Sequence, residues 1–205
     1  MPTVRSRRVE YSEATRQALV ASAVELFTER GYSGTSLDEI AKRARVTKGA
    51  LYHHFGGKQA LFEAAFAAVE ADVVDRLAEV VSDSGDPWEA TRSGLSAFLE
   101  VCLEPSYQRI VVQDGPAVMG WERWRTAEEA HTFGVLRTVV NTLVESGEIG
   151  DLPVDALARI MFGALSAGAT AIAGSAAPIR ERADIAACVE QVLTGLRLAR
   201  SSSPS

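Results

Sequence analysis

The twenty residues SLDEIAKRARVTKGALYHHF, positions 36–55, decide how this chain is read. Ser36-Leu37-Asp38-Glu39 opens them as a capping box, in which Ser36 caps the backbone N–H of Glu39 while Glu39 reaches back. A helix to about Ala44 follows. Arg45 and Val46 make a short turn, and Thr47 is a second N-cap residue, opening a helix of roughly two turns that ends at Phe55. Two short capped helices joined by a tight turn have the proportions of a helix-turn-helix, whose second helix enters the major groove of DNA. At 3.6 residues per turn, Leu51 and Phe55 lie together and, with Ile40, Val46 and Leu26, form the apolar seam that fixes both helices. The opposite face carries Gly49, Ala50, Tyr52 and His53; the two small residues let the backbone approach a duplex, and the two larger ones flank it with polar tips.

Gly and Pro clusters cut the rest into helix-length pieces, and no strand alternation survives between them, so the chain is expected to be all-α. Helix 1 is expected over residues 12–30, with Leu19, Ala23, Leu26 and Phe27 in one stripe, ended by Gly31. A long helix starts at Lys58 and repeats Leu61, Phe62, Ala65, Val69, Val73 and Leu77 at helical spacing. Asp86-Pro87-Trp88-Glu89 is another N-terminal cap, opening a helix to Leu103. Residues 106–112, 121–145, 153–173 and 183–200 complete about nine helices.

Several spaced segments carry a family likeness: Gly31-Tyr32-Ser33-Gly34-Thr35-Ser36, Asp38-Glu39-Ile40-Ala41, the run from Val46 to Phe55, Lys58, and Leu61-Phe62. Over about residues 12–66 the chain resembles the tetracycline-repressor (TetR) family. The resemblance implies nine or ten helices, a homodimer made by the last two long helices on a palindromic DNA operator, and a ligand cavity in the middle. It also implies phosphate contacts from Thr35, Thr47, Tyr52, His53 and Lys58, and base edges facing Lys48, Gly49 and Ala50. Ser36 and Arg45 complete the candidate interface. The physics agrees: the free N–H groups behind Thr47 present a helix N-terminus to a phosphate, and Lys48 can donate to guanine. Base donors are few, so Arg5, Arg7 and Arg8 are expected as an arm entering the adjacent minor groove. The expected division is a flexible basic arm (1–11), a DNA-binding domain (12–57), an effector-binding and dimerisation domain (58–200) and a disordered tail (201–205).

Charge distribution supports this order. The net charge is −6, yet residues 1–60 hold ten Lys/Arg against six Asp/Glu, and residues 61–205 hold eleven against twenty-one. In the acidic part, an apolar cavity with few polar anchors is expected from Trp88, Phe98, Cys102, Tyr107, Trp121, Trp124, Phe133 and Met161, with Asp114, Glu128 and His131 as polar candidates. Aromatic walls in acidic surroundings lean toward a flat apolar or cationic effector, whose binding releases the operator. Small residues Gly163, Ala164, Ala167, Gly168 and Ala171 permit close helix approach, and Ile185, Cys188, Val189, Val192, Leu193 and Leu196 form a stripe on the last helix. Two such helices per subunit make a four-helix bundle across a two-fold axis.

Other classes fit less well. An alternative is a DNA-binding regulator without a small effector, controlled by a protein partner. A helical-bundle enzyme is a distant one, since no nucleophile elbow, P-loop, dinucleotide fingerprint or His-Glu-x-x-His is present. No cofactor and no metal are expected; adjacent His53 and His54 point about 100° apart on a helix. Cys102 and Cys188 have no ligand spacing and are read as reduced, buried thiols in the cytoplasm. Residues 1–10 have no apolar stretch behind their arginines, so no secretory signal is expected. Residues 160–179 lack charge over a membrane-spanning length, but they are mostly small and are read as a packed helix.

Overall fold

A computed structural model describes residues 4–200, apart from the side chains of residues 4–8 and Arg200. Within it α1 (Val4–Arg30), α2 (Leu37–Arg43) and α3 (Lys48–His54) form the head, and α4 (Lys58–Ser82) leaves it for the body. The body continues with α5 (Pro87–Val101), α6, α7, α8 (Val154–Gly174) and α9 (Pro178–Arg200). In α6 a π-helical stretch, Tyr107–Asp114, runs on as α-helical Gly115–Met119; α7 comprises Trp121–Glu128, a π-turn at Glu129–Phe133, and Gly134–Glu145. The described residues thus make nine helical rods and no strand.

Three boundaries differ from the sequence expectation. First, α1 starts at Val4 rather than near Ser12, because no Gly or Pro interrupts the chain between Val4 and Gly31 and its Arg and Glu residues favour helix. Residues 4–11 are therefore helical, not an extended arm. The side chains of Arg5, Arg7 and Arg8, like the tail 201–205, lie outside the described residues. Second, Gly115-Pro116 does not end α6. Pro116 lacks an N–H and falls in the first turn after the wide π-stretch, where a missing donor costs little. Third, α9 begins at Pro178, not near Ala183, again with proline in the first turn.

The head core is the expected one. Leu19, Ala23, Leu26 and Phe27 of α1 bury against Ile40, Leu51, Phe55, Leu61 and Phe62. Phe27, Tyr32 and Phe62 form a ring trio with centroids 5.2 to 5.9 Å apart. Gly31 closes α1 at φ 70°, and the Arg109 guanidinium of α6 occupies the space a side chain there would need. The Arg109 side chain of the body therefore rests directly on the backbone of the head at this turn. The body has a second core, where Trp88, Leu143, Ile149, Met161, Val189 and Leu193 meet.

The outer faces of α8 and α9 need a correction to the proposed stripe. Val189 and Leu193 are buried in their own subunit, with Ile185 and Leu196 packed behind them, so this row stabilises the monomer. Cys188 and Val192 point the other way. Val192 is 54% exposed, Leu198 63% and, on α8, Ile160 68%. Beside Ile160 run exposed Gly163, Ala164, Ala167 and Ala171. By length and composition α8 is apolar enough to cross a bilayer, and 28% of its most apolar window is buried in the subunit. Its Ala158, Met161, Ala169 and Ile172 nonetheless face protein.

Candidate nucleic-acid interface and internal cavity

The capping chemistry read from the sequence is built. The Ser36 side chain accepts from the Glu39 N–H at 3.3 Å, and the Ser36 N–H donates to Glu39 Oε2 at 3.0 Å. Hydrogen bonds from Ser36 then hold the Glu39 carboxyl below its ordinary value. Thr47 Oγ1 accepts from the Ala50 N–H at 3.1 Å. Between the helices Arg45 takes φ 57°, a left-handed conformation that turns α3 across α2, while the Val46 N–H donates to Ala41 O at 3.0 Å. Leu51, fully buried, then fixes which side of α3 faces outward.

That outward side carries exposed Thr47, Lys48, Gly49, Tyr52 and His53, with Ala50 half-buried. No atom comes within 4 Å of where a Cβ on Gly49 would sit except Thr47 Oγ1 at 4.0 Å. Lys48 Nζ pairs with Asp38 at 2.8 Å, and hydrogen bonding to that carboxylate raises its pKa. Both partners are exposed, so DNA can exchange the pair for its own phosphates or bases. Lys58 lies half-buried with its ammonium 4.3 Å from the Tyr32 ring centre, and Ser36 and Arg45 are exposed on the same head.

Thr35 is a correction. It is buried, and its hydroxyl lies 2.9 Å from Gly31 O and 3.1 Å from Leu26 O, so donation is committed to the end of α1 rather than to a phosphate.

Inside the body is a cavity of about 90 Å³, walled by α4, α5, α6, α7, α8 and α9. Of the expected lining residues, Phe98, Tyr107, Glu128 and Met161 are in its wall. The others are not. Trp88 is buried in the second core under the Arg197 guanidinium, 4.4 Å from its ring centre. Cys102 is buried behind the wall, and burial pushes its thiol up to about 12. Asp114 serves the head, as described below, and His131 is half-exposed outside the cavity. Trp121 packs at a tilt against Trp124, ring centroids 4.9 Å apart, and the Trp124 indole N–H donates to Val111 O at 2.9 Å, pinning α7 to α6. Both tryptophans, with Phe133, line a separate open groove of about 440 Å³.

Most of the wall escaped the sequence reading. Leu77, Leu95, Leu136, Val140 and Leu165 are ordinary aliphatics that only the packing distinguishes from core. A second buried carboxyl, Glu70, had a sequence signal: it falls on the buried side of α4, four residues after Phe66 and three before Val73. Thr132 Oγ1 donates to Glu70 Oε2 at 2.8 Å, and Ser166 Oγ donates toward the Glu128 carboxyl at 3.2 Å. Burial raises Glu70 to about 7 against the opposing Thr132 bond, and raises Glu128 to about 7 against Ser166. Neutral, both stabilise the fold fully below about pH 4.5, and this is lost as pH rises through about 7.

Cavity and head share α6. Tyr107, at its start, lies in the cavity wall; Asp114, eight residues into the π-stretch, accepts the Tyr32 N–H at 2.7 Å and pairs with Arg109 at 3.3 Å. Tyr32 lies directly after the Gly31 turn and under Lys58, so this carboxylate grips the hinge of the head. Likewise α4 has Lys58 at the head and Leu77 in the cavity wall.

Residues 19–65 match the model for bacterial regulatory proteins of the tetR family, and residues 88–196 match that of the tetracyclin repressor-like C-terminal domain. The chain is 28% identical over 159 residues to the Transposon Tn10 TetC protein of Escherichia coli, covering 78% of this chain and 80% of that one. With the HTH-type transcriptional regulator AcrR of Shigella flexneri it shares 35% over 103 residues, half of this chain and 48% of AcrR. Among solved structures, a TetR-family transcriptional regulator from Pectobacterium atrosepticum superposes with a TM-score of 0.81 at 34% identity, covering 91% of this chain and 96% of that one. RolR in complex with the ligand resorcinol has the same fold at a TM-score of 0.70 and 21% identity, covering 96% and 98%.

Proposed function

As this chain belongs to the TetR family of transcriptional regulators, we propose that it acts in the cytoplasm as a homodimeric repressor, released from a palindromic operator by a small molecule bound in its internal cavity. The head, residues 12–57 with the helical extension before it, binds DNA; residues 58–200 bind the effector and dimerise. Lys48, Gly49 and Ala50 of α3 face base edges, while Thr47, Tyr52, His53 and Lys58 hold phosphates, with Ser36 and Arg45 beside them. Arg5, Arg7 and Arg8, which precede the head, enter the adjacent minor groove. Two heads must meet successive major grooves about 34 Å apart, so the exposed apolar faces of α8 and α9 pair across the two-fold axis. That pairing covers Ile160 and Val192, which a lone subunit leaves in water.

The observation that carries the effector half of this reading is the span of α6, with Tyr107 in the cavity wall and Asp114 on the Tyr32 N–H. At about 90 Å³ the cavity is smaller than the roughly 150 Å³ that holds a benzene ring, so an aromatic ligand must part the helices. A ligand that fits only the parted state shifts the protein toward it, and α6 and α4 transmit the shift to the head. RolR, which has the same fold and is known in complex with the ligand resorcinol, supports this reading.

The experiment is to select an operator from random DNA, screen compounds for its release, and repeat the titration with Asp114→Ala. The variant is expected to fold and to bind operator within about threefold of wild type, with its stability lowered by about 1 kcal/mol for the lost hydrogen bond. The compound should still bind it but release operator poorly, because the coupling, in general about 1–3 kcal/mol, no longer reaches the head. Unchanged release by Asp114→Ala would show that the signal runs elsewhere.

A further inference from the structure

The cavity wall is apolar except at one end, where Glu128 lies in it and Glu70 sits just behind, one hydroxyl away through Thr132. Glu70 is completely buried, and its Oε1 has no hydrogen-bond partner. Glu128 is buried too, and its two oxygens share the single hydroxyl of Ser166 at 3.2 and 3.3 Å. A carboxyl pair can accept far more than these two hydroxyls offer. Among the described residues no lysine, arginine or histidine is in ion-pair range of either carboxyl. The titratable groups coupled to them, besides each other, are Tyr107 of α6, Cys102 at the end of α5 and Glu129 of α7, all neutral or negative. Such a site repels an anion and gains from a cation.

The carboxylate end of the cavity backs onto the open groove. Glu128, Phe162 and Ser166 line the cavity on one side and the open groove on the other. The groove adds Trp121, Trp124 and Phe133, aromatic faces that attract cations. Its two arginines are already engaged, Arg125 with Glu129 at 2.7 Å and Arg159 over the Phe133 ring at 5.3 Å.

We propose that the Glu70–Glu128 pair is the selectivity element of the cavity, and that the effector is an elongated apolar molecule bearing one protonated amine, its ammonium seated on Glu128 with Glu70 as the second carboxylate. The inference rests on reading the cavity as the effector site. The apolar body lies among Phe98, Leu95, Leu136 and Met161, and the ammonium, with three N–H donors, takes up the acceptor capacity that Ser166 and Thr132 leave. A neutral hydroxyl in place of the amine leaves two carboxyls to be neutralised by protons alone.

The test uses the full chain with two probes of one shape, 4-phenylbutylamine and 4-phenylbutan-1-ol, by calorimetry at pH 6 and pH 8. Carboxyls near 7 go from about one-tenth to about nine-tenths ionised over that range while the amine stays charged, so amine affinity should tighten about tenfold and alcohol affinity should not. At pH 8 the amine should bind at least about tenfold more tightly than the alcohol. Glu128→Gln, which keeps size and hydrogen bonding, should bring the amine down to the alcohol and flatten its pH dependence. Without any ligand, wild type should lose thermal stability between pH 5 and pH 8 relative to Glu70→Gln and Glu128→Gln, a readout that also reports whether each variant folds. Equal binding of the two probes, or a Glu128→Gln variant that binds amine like wild type, overturns the proposal. Binding of the alcohol alone overturns it while leaving the cavity an effector site. Binding of neither probe to wild type or variant removes both the selectivity element and the effector reading.

Discussion

Gly49→Glu is expected to weaken operator binding by about 1,000-fold, most of the margin between specific and non-specific affinity, with no loss of stability. Gly49 sits at the middle of the exposed face of α3, where a side chain meets open space in the free protein. The fold gains from the change: glutamate is a better helix former than glycine by roughly 0.5–1 kcal/mol, and its charge lies in the first turn of α3. On DNA the same side chain would hold an anion against the groove and keep the backbone away from the base edges, twice per dimer. Leu51→Ala, two residues on, is the contrasting case. It empties a fully buried site and should cost about 2–5 kcal/mol, so its DNA binding would be lost through unfolding. Thermal melting beside an operator titration separates the two, and a Gly49→Glu protein that binds operator like wild type would place the interface elsewhere.

The second large effect is expected from Ile160→Asp combined with Val192→Asp. Both side chains are mostly exposed in the subunit, so the double variant should fold with a melting temperature near that expected for the isolated subunit. In a two-fold interface it would bury four carboxylates in apolar surroundings, each costing several kcal/mol, which no bundle of this size absorbs. Light scattering should give a monomer at micromolar concentration, and operator affinity should fall about 1,000-fold because one head alone reads half the site. Leu193→Asp is not an equivalent probe. Leu193 is in the wall of the subunit's own cavity, and a charge there should unfold the chain.

The head was legible because its signals are local. A capping box at Ser36, a second cap at Thr47 and an apolar seam through Ile40 and Leu51 depend only on nearby residues, and each is present as read. Thr35 was misplaced because a buried threonine that ties off a helix end has the same neighbours in sequence as one that faces a phosphate. The body was legible as helices but not as a site. The π-stretches at Tyr107–Asp114 and Glu129–Phe133 add a residue to the turn, which shifts the facing of every later side chain by about 100° against an α-helical reading. Asp114 and His131, both expected in the cavity, fall within these stretches and lie outside it. Trp121 attracts notice by its size, yet it is 63% exposed, while the cavity wall is built by leucines and valines indistinguishable in sequence from packing residues. Glu70 was legible in principle, as a charge on an apolar stripe.

The claim on which all this turns is that the exposed face of α3 is presented to a duplex twice, by a symmetric pair of subunits. Selecting bound fragments from random DNA with the wild-type protein and mapping the protected bases tests it most directly. The expected result is an inverted repeat whose half-sites are centred about 34–36 Å apart or a multiple of that, with protection in the major groove of each half. A single asymmetric site, or protection confined to the minor groove, would contradict it.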